Sequence, residues 1–351
     1  MADDRAPPAC DTARTAELRA LLASRKRLLI LTHNNPDPDS IGGAMGLAEF
    51  ARKACGIEAE FAITGRILRA ENQAMVRELH IETTPLETVD TSEFDCFAVV
   101  DTQPGFGHTF VPPEIAVDIV IDHHVCAEAD GTDIAFYEVL EDLGATSSIV
   151  AAHLQNAGVE PSADVATALA YGIKTDTADL SRNVCEVDLR AFEYLFPYID
   201  RQRLVAIQSP RLPAAYFKTL KDALSKVRLY DGVTLCSLGR TPSAEMVAEI
   251  ADLLLRQEGV RAVFCGGLVG GSYYVSVRTQ VGTDAWSLLR DAMEGENGSC
   301  GGHGSVAGGT IQVATNDSRA LKRLERRLER NILRSFGVSG CNAAALGDAD
   351  D

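Results

Sequence analysis

The chain has 351 residues, 46% hydrophobic and 24% charged, with a net charge of −17. That composition is globular, and the length calls for about two domains rather than one core. The acidic balance excludes a broad groove for long nucleic acid, which needs basic surface, but allows a short anionic ligand in a local pocket.

Thr12–Ser24 has apolar residues at helical spacing. Leu28–Leu31 is a short apolar run of the kind a buried parallel strand shows. It gives way to Thr32 and the polar segment His33-Asn34-Asn35-Pro36-Asp37-Pro38-Asp39. The two prolines predict an extended or turn conformation there, and Ser40 is expected to cap a helix over Ile41–Ala54. Glu58–Ile63 reads as a strand and Asn72–Leu79 as a helix. Phe94–Val100 is a buried strand ending on Asp101, and Val117–Ile121 another ending on Asp122-His123-His124. Helices follow over Gly144–Asn156, over Ser162–Thr175 leading into Asp176, and over Val187–Tyr198.

Asp200–Lys226, broken at Pro210 and Pro213, reads as a helical linker. Beyond it come a strand at Gly232–Leu238 and an amphipathic helix at Ser243–Arg256. Two strands joined at Gly270-Gly271, Arg261–Val269 and Ser272–Arg278, precede a helix at Asp284–Met293. A glycine-rich turn, Gly298–Gly309, leads to a strand at Thr310–Ala314 and a basic amphipathic helix at Ser318–Ser335. The small, acidic tail 337–351 is expected to be disordered. Alternating strands and helices predict an α/β fold. Its N-terminal doubly wound, mainly parallel sheet carries helices on both faces, and a smaller C-terminal α/β domain follows, with a cleft between them. The expected bounds are 1–199 and 227–336, with 200–226 as linker.

The opening MADDRAPPAC lacks the apolar core of a signal peptide, and no apolar run reaches the roughly 20 residues of a membrane helix. Nine scattered cysteines, with no Cys-x-x-Cys, read as free thiols of a reducing cytoplasm. A cytoplasmic protein with no membrane partner is expected.

Three apolar strands each stop at a residue of metal-ligand type, and in a parallel sheet such ends share one edge. His33, Asp101 and His123 therefore converge, joined by Asp37, Asp39 and Asp176. Four carboxylates offset two divalent cations. Carboxylate and imidazole without thiolate favour Mn²⁺, with Mg²⁺, Co²⁺ or Fe²⁺ as alternatives. Two such ions about 3.5–4 Å apart can hold a bridging hydroxide and polarise a phosphoryl oxygen. Asp101 is placed to bridge them, Asp122 can fix an imidazole tautomer, and His124 is left for substrate contact or acid chemistry. Arg182 and, more weakly, Lys174 stand close enough in sequence to face the same pocket. His80, His108 and His153 have no motif partners and read as structural or solvated.

The motifs His33-x3-Asp37-x-Asp39-x2-Gly42, Val99-Val100-Asp101, Asp122-His123-His124 and Gly172-Ile173-Lys174-Thr175-Asp176-Thr177 resemble, in order, those of the DHH phosphoesterase superfamily. Ser276-Val277-Arg278 and Gly301-Gly302-His303-Gly304 followed by Ala307-Gly308-Gly309 resemble its DHH-associated domain, as in RecJ-like nucleases and the nano-RNase/pAp-phosphatase group. The resemblance implies that His33 and Asp37 hold one metal, that Asp39, His123 and Asp176 hold the other, and that Asp101 bridges. It places His124 near the scissile phosphate. Arg278, Gly301, Gly302 and His303 would bind the substrate's phosphate or terminal nucleotide. A Gly-rich turn offers amides to an anion, and arginine a bidentate fork.

The implied activity is a two-Mn²⁺ phosphoesterase acting on short oligonucleotides, linear dinucleotides or pAp-type nucleotides by attack of a metal-bridging hydroxide. The partners expected are such substrates and, as an open alternative, a second copy of the chain; long duplex nucleic acid is not. The rival readings are inorganic pyrophosphatase, exopolyphosphatase, a RecJ-type exonuclease and a non-catalytic nucleotide sensor.

Overall fold

The computed structural model describes residues 11–67, 69–106, 109–125, 133–313, 318–338 and 344–345. The chain forms two compact units, Met1–Pro210 and Arg211–Asp351. The stretch read as a linker gives a helix to each: Ile207 lies in the core of the first, and Ala223 in the core of the second.

In the first unit the strands are β1 (Arg27–Leu31), β2 (Glu58–Ile63), β3 (Thr84–Pro85), β4 (Cys96–Val100), β5 (Ile119–Asp122) and β6 (Phe136–Val139). They make one all-parallel sheet in the order β3-β2-β1-β4-β5-β6. The chain winds outward from β1 in one direction and from β4 in the other. The strand ends of β1 and β4 therefore flank the switch point, where an open α/β sheet leaves a crevice. Leu28 and Ile30 of β1 face a core filled from the helices α1 (Thr12–Ala23), α2 (Pro38–Phe50), α3 (Ala70–Glu78), α4 (Thr146–Asn156), α5 (Ala163–Asp176), α6 (Glu186–Leu195) and α7 (Arg201–Gln208). Leu29 and Leu31 face the other way, onto Leu86, Phe94 and Ile115, carried by short 3-10 turns and loops. The expected α/β class and parallel sheet are thus what the structure shows.

Helix α2 begins earlier than expected. Asp37, not Ser40, is its N-cap, accepting from the amides of Asp39 and Ser40 while Ser40 closes a capping box. Pro38 is the first helical residue, where a missing N–H costs nothing and a fixed φ helps. The prolines therefore start the helix rather than forbid it, and Asp39 is carried on its first turn. The helix runs into a π-helical turn, Ala51–Cys55, and ends at Gly56 with φ +72.

The second unit holds α8 (Ala214–Leu224), β7 (Arg228–Tyr230), β8 (Val233–Arg240), α9 (Glu245–Leu254), β9 (Ala262–Val269) and β10 (Ser272–Thr279). It continues with α10 (Ala285–Ala292), β11 (Gly298–His303), β12 (Val306–Gln312), α11 (Ser318–Ser335) and β13 (Ala344–Ala345). Its sheet runs β11-β12-β10-β9-β8-β7-β13, with only β8 and β9 parallel among the described pairs. Helices α8 and α9 cover one face and α10 and α11 the other. The Gly-rich segment is a hairpin, not a turn: Gly301 pairs with Gly308 and Gly302 with Ala307. A Cβ on Gly302 would lie 2.4 Å from the Val306 carbonyl oxygen, so glycine there lets two strands close up. Of the expected disordered tail, Val338 is buried and Ala344–Ala345 pair with β7; 339–343 and 346–351 lie outside the described residues.

Candidate metal centre

Each expected ligand sits at a structural terminus. His33 follows β1, Asp101 follows β4, and His123 follows β5; Asp39 opens α2 and Asp176 closes α5. All are in the first unit. Asp101 holds a left-handed backbone, φ +61, with its amide on the Ile121 carbonyl at 2.9 Å. That conformation is uncommon for a side chain with a Cβ, and Asp is among the residues that tolerate it.

The geometry centres on two imidazole Nε2 atoms. His33 Nε2 stands 3.7 Å from Asp37 Oδ1 and 3.6 Å from Asp101 Oδ2. His123 Nε2 stands 3.7 Å from Asp101 Oδ1, 3.9 Å from Asp39 Oδ2 and 3.5 Å from Asp176 Oδ2. The two oxygens of Asp101 thus face two different histidines. On each ring the other nitrogen lies against a backbone carbonyl: His33 Nδ1 against Asn34 at 3.0 Å, and His123 Nδ1 against Leu143 at 3.1 Å. With Nδ1–H donating there, the Nε2 lone pair points among the carboxylates, as in metal-bound histidine.

Buried within that cluster, His123 Nε2 has no hydrogen-bond partner. Leaving such an atom unsatisfied costs about 1–3 kcal/mol unless something else takes the lone pair. Neighbouring ligands on an octahedral ion with bonds of about 2.1 Å lie about 3 Å apart and opposite ones about 4.2 Å. The observed gaps fall between those values, so the donor set fits divalent cations: one group is His33, Asp37 and Asp101, the other Asp39, His123 and Asp176.

The electrostatics point the same way. Asp39 is fully buried, and burial together with Asp101 and Asp176 pushes its carboxyl well above the usual range. Burial and the neighbouring acids raise Asp176 to about 6. Burial opposes ionisation of Asp37, but His33 beside it holds the carboxyl below the usual range. This crowding of like charge is what a divalent cation relieves.

Part of the scaffold carries no signature in sequence. The first amides of α4 clamp Asp39: Thr146 N donates to Oδ2 at 2.7 Å and Ser147 N to Oδ1 at 2.8 Å. Thr146 Oγ1 donates to Asp101 Oδ1 at 2.8 Å. Asp122 is fully buried. Its Oδ1 takes the His123 amide and the His124 ring, both at 2.8 Å, and its Oδ2 takes Gln103 Nε2 at 2.7 Å. Gln103 in turn accepts from Tyr137. His124 is half-exposed, with Nδ1 3.8 Å from Asp101 Oδ1. Burial works to lower it, yet Asp122 and Asp101 raise its pKa.

The remaining expected residues are placed as follows. Arg182 is exposed, and its guanidinium donates to the Asp176 carbonyl at 3.2 Å. Lys174 is paired with Asp179 at 2.6 Å. Arg278, in the second unit, is buried; its Nε pairs with Asp252 at 2.5 Å and Nη1 donates to Ser276 Oγ and the Val277 carbonyl. It lines a groove of about 330 Å³ with Tyr274, Ser276, Gly308 and Gly309. Gly301 and Gly302 are exposed on β11, and the side chain of His303 lies outside the described residues, as does His108. His153 is buried between Glu138 and Thr15, and His80 is exposed. Among the described residues no helix is long and apolar enough to cross a membrane.

Residues 27–173 match the DHH family N-terminal domain and residues 231–330 the DHHA1 domain. An uncharacterized protein of Methanocaldococcus jannaschii is 34% identical over 320 residues, covering 89% of this chain and 64% of that protein. A probable manganese-dependent inorganic pyrophosphatase of Bacillus licheniformis is 29% identical over 170 residues, 48% of this chain and 54% of that protein. The chain thus spans between about half and two thirds of these curated relatives. An exopolyphosphatase-related protein from Bacteroides fragilis shares the fold, with a TM-score of 0.72 at 16% identity over 93% of this chain and 98% of that one. The chain belongs to the DHH superfamily, its DHH domain followed by a DHHA1 domain.

Proposed function

We propose that the protein is a Mn²⁺-dependent phosphoesterase acting on short oligoribonucleotides, linear dinucleotides or pAp-type nucleotides. The observation that carries this reading is Asp101 shared between His33 and His123, each Nε2 aimed at a separate set of carboxylates. His33, Asp37 and Asp101 would hold one ion, and Asp101, Asp39, His123 and Asp176 the other. When bound, such a pair polarises a phosphoryl oxygen and makes hydroxide available near neutral pH. The chain's own residues do the rest. The α4 amides keep Asp39 in place, and Gln103 and Tyr137 lock Asp122. Asp122 holds the ring of His124 through Nδ1, so that Nε2–H can deliver a proton to the leaving oxygen.

The nucleotide part rests on the DHHA1 match and on the groove beside Arg278, where a buried guanidinium and Ser276 offer donors to a phosphate. A second reading, hydrolysis of pyrophosphate or polyphosphate, is favoured by the likeness to probable manganese-dependent pyrophosphatases. A turnover panel of pyrophosphate, polyphosphate, pAp, pApA and a short RNA, with Mn²⁺, separates the two. The expected result is release of mononucleotide or phosphate from the nucleotide substrates, lost on chelation and in Asp101→Asn. Asn suits the left-handed backbone as well as Asp does, so this variant removes the bridging charge without adding strain. Turnover of pyrophosphate alone would overturn the nucleotide reading, and full turnover after exhaustive metal removal would overturn the metal centre.

A further inference from the structure

Asp188, in the first turn of α6, is fully buried and is not one of the candidate ligands. Its Oδ2 accepts from the Cys185 amide at 2.9 Å and from the Gly144 amide at 3.0 Å. Its Oδ1 is buried with no hydrogen-bond partner, and no cation pairs with the carboxylate among the described residues. Burying a carboxylate with so few partners is costly. Capping of α6 accounts for the bond from Cys185. It does not account for Gly144, which lies between β6 and α4. The Gly144 amide shares its peptide group with the Leu143 carbonyl, and that carbonyl faces His123 Nδ1 at 3.1 Å. The peptide is closely held here: a Cβ on Gly144 would lie 2.6 Å from Thr177 Cγ2, 2.8 Å from the Asn183 carbonyl oxygen and 3.1 Å from Asp188 Oδ2. A buried carboxylate, one peptide group and an imidazole thus form one hydrogen-bonded chain. At its far end His123 Nε2 stands among Asp39, Asp101 and Asp176.

We propose that Asp188 is a positioning residue for one of the two metal ions, acting on His123 through the Leu143–Gly144 peptide. A negative charge at a peptide N–H polarises the amide and makes the carbonyl oxygen at its other end a stronger acceptor, as hydrogen bonds in a chain reinforce one another. The stronger acceptor holds the proton on Nδ1, keeps the Nε2 lone pair for the metal and raises its basicity. The His33 branch is built differently. Its Nδ1 faces the Asn34 carbonyl, and the amide of that same peptide, on Asn35, donates to the neutral Thr64 carbonyl at 2.9 Å. Charge support therefore reaches the position of Asp39, His123 and Asp176 through this route, and the position of His33 and Asp37 has only a neutral counterpart. The proposal rests on the metal-centre reading and on no particular substrate.

The test is calorimetric titration of the metal-free full chain with Mn²⁺, parent against Asp188→Asn. Asparagine keeps an oxygen for both amides and removes the charge. The expected result is a loss of about tenfold in affinity for one of the two ions, the low end of the range for partners that touch a ligand directly. Affinity for the other ion should not change. A second readout is one that a packing role does not move. In the Mg²⁺-loaded protein carrying labelled histidine, the His123 Nδ1–H proton should shift upfield by NMR in the variant as its hydrogen bond weakens, while that of His33 stays. The two signals are assigned by their loss in His33→Gln and His123→Gln. Asp188→Ser, a smaller neutral acceptor, is the second variant where asparagine crowds the cap, and metal-free melting curves identify the folded forms. Three results would overturn the proposal: unchanged affinity for both ions in a folded neutral variant, a loss shared equally by both ions, or an unmoved His123 proton. A parent chain that binds no divalent ion would overturn the metal-centre reading itself, and this proposal with it.

Discussion

A Cβ on Gly172 would lie 2.9 Å from the Cα of Asp39 and 2.4 Å from Ser147 Oγ. Helix α5 therefore touches the first turns of α2 and α4 at a point where only hydrogen fits. That contact brings Asp176, four residues further along α5, within reach of the same imidazole as Asp39. Gly172→Ala should push the helices apart. Overpacking of this kind costs about 1–3 kcal/mol of stability. Because the donors Asp39, His123 and Asp176 would be spread, Mn²⁺ affinity should fall by about tenfold or more. Calorimetric titration of the folded variant checks this; unchanged affinity would show that α5 does not set the spacing of the donors.

Metal uptake should release protons. Burial alone would lower both imidazoles, yet the surrounding carboxylates raise His33 to about 11 and His123 to about 10. In the metal-free protein at neutral pH both rings are therefore protonated, and each must lose a proton to offer its lone pair. At least about two protons per chain should appear on Mn²⁺ binding near pH 7, from the two imidazoles and with a further contribution from Asp39, whose carboxyl is also raised, measurable from the dependence of the binding heat on buffer. The stability of the metal-free protein has a definite sign. A histidine raised above its unfolded value of about 6.5 stabilises fully below that pH, and the contribution is lost as pH rises toward the folded value. The metal-free melting temperature should therefore fall between about pH 7 and pH 9, and the Mn²⁺-loaded protein should lack this loss. A metal-free melting temperature that rises over that interval would contradict the assignment.

His153 should matter for stability and not for chemistry. It is 1% exposed, with Nε2 2.6 Å from buried Glu138 and Nδ1 2.8 Å from Thr15. The three residues tie α1, β6 and α4 together on the core side of the sheet. His153→Ala leaves a cavity and takes from the buried Glu138 carboxylate its close partner, leaving among the described residues only the Arg14 guanidinium at 3.7 Å, a loss of roughly 2–4 kcal/mol. Denaturant unfolding should show that loss, while kcat with Mn²⁺ stays near the parent value. A large fall in kcat at temperatures where the variant is folded would give His153 a role that its position does not explain.

What could be read from the sequence depended on how each part of the site is made. His33, Asp101 and His123 were legible because each ends an apolar run, and parallel strands put such ends on one edge. The clamp on Asp39 was not, because it is made of the Thr146 and Ser147 amides, which every residue possesses. The start of α2 is ambiguous in sequence for a related reason. Asp37 and Ser40 are both good caps, and what decides between them is Pro38, which reads as a breaker inside a helix and as a starter at its first position. Gly298–Gly309 reads as a turn because glycine usually punctuates structure. Here Gly302 and Gly298 serve close approach of two strands instead, with Cβ clearances of 2.4 and 2.2 Å to carbonyl oxygens of β12. The strands β3 and β6, two and four residues long, are too short for periodicity to show.

The two domains should separate chemistry from recognition. All six candidate ligands lie in the first unit, and Arg278 in the second. A phosphodiester with no nucleotide, such as bis-p-nitrophenyl phosphate, needs the metals but not the groove lined by Arg278. A charge-assisted hydrogen bond to phosphate contributes about 1.5–3 kcal/mol, or one to two orders of magnitude in kcat/KM. Arg278→Ala should therefore lower kcat/KM on pAp or short RNA by about that factor and leave the artificial diester almost unaffected, whereas Asp37→Ala should abolish both. Arg278 is also buried against Asp252 and Ser276, so the variant's melting temperature and metal content must be read alongside. Equal losses on both substrates in a folded, metal-loaded variant would place Arg278 at the chemical centre. No loss on any nucleotide would remove the groove from recognition, and the balance would then shift toward pyrophosphate or polyphosphate as the substrate.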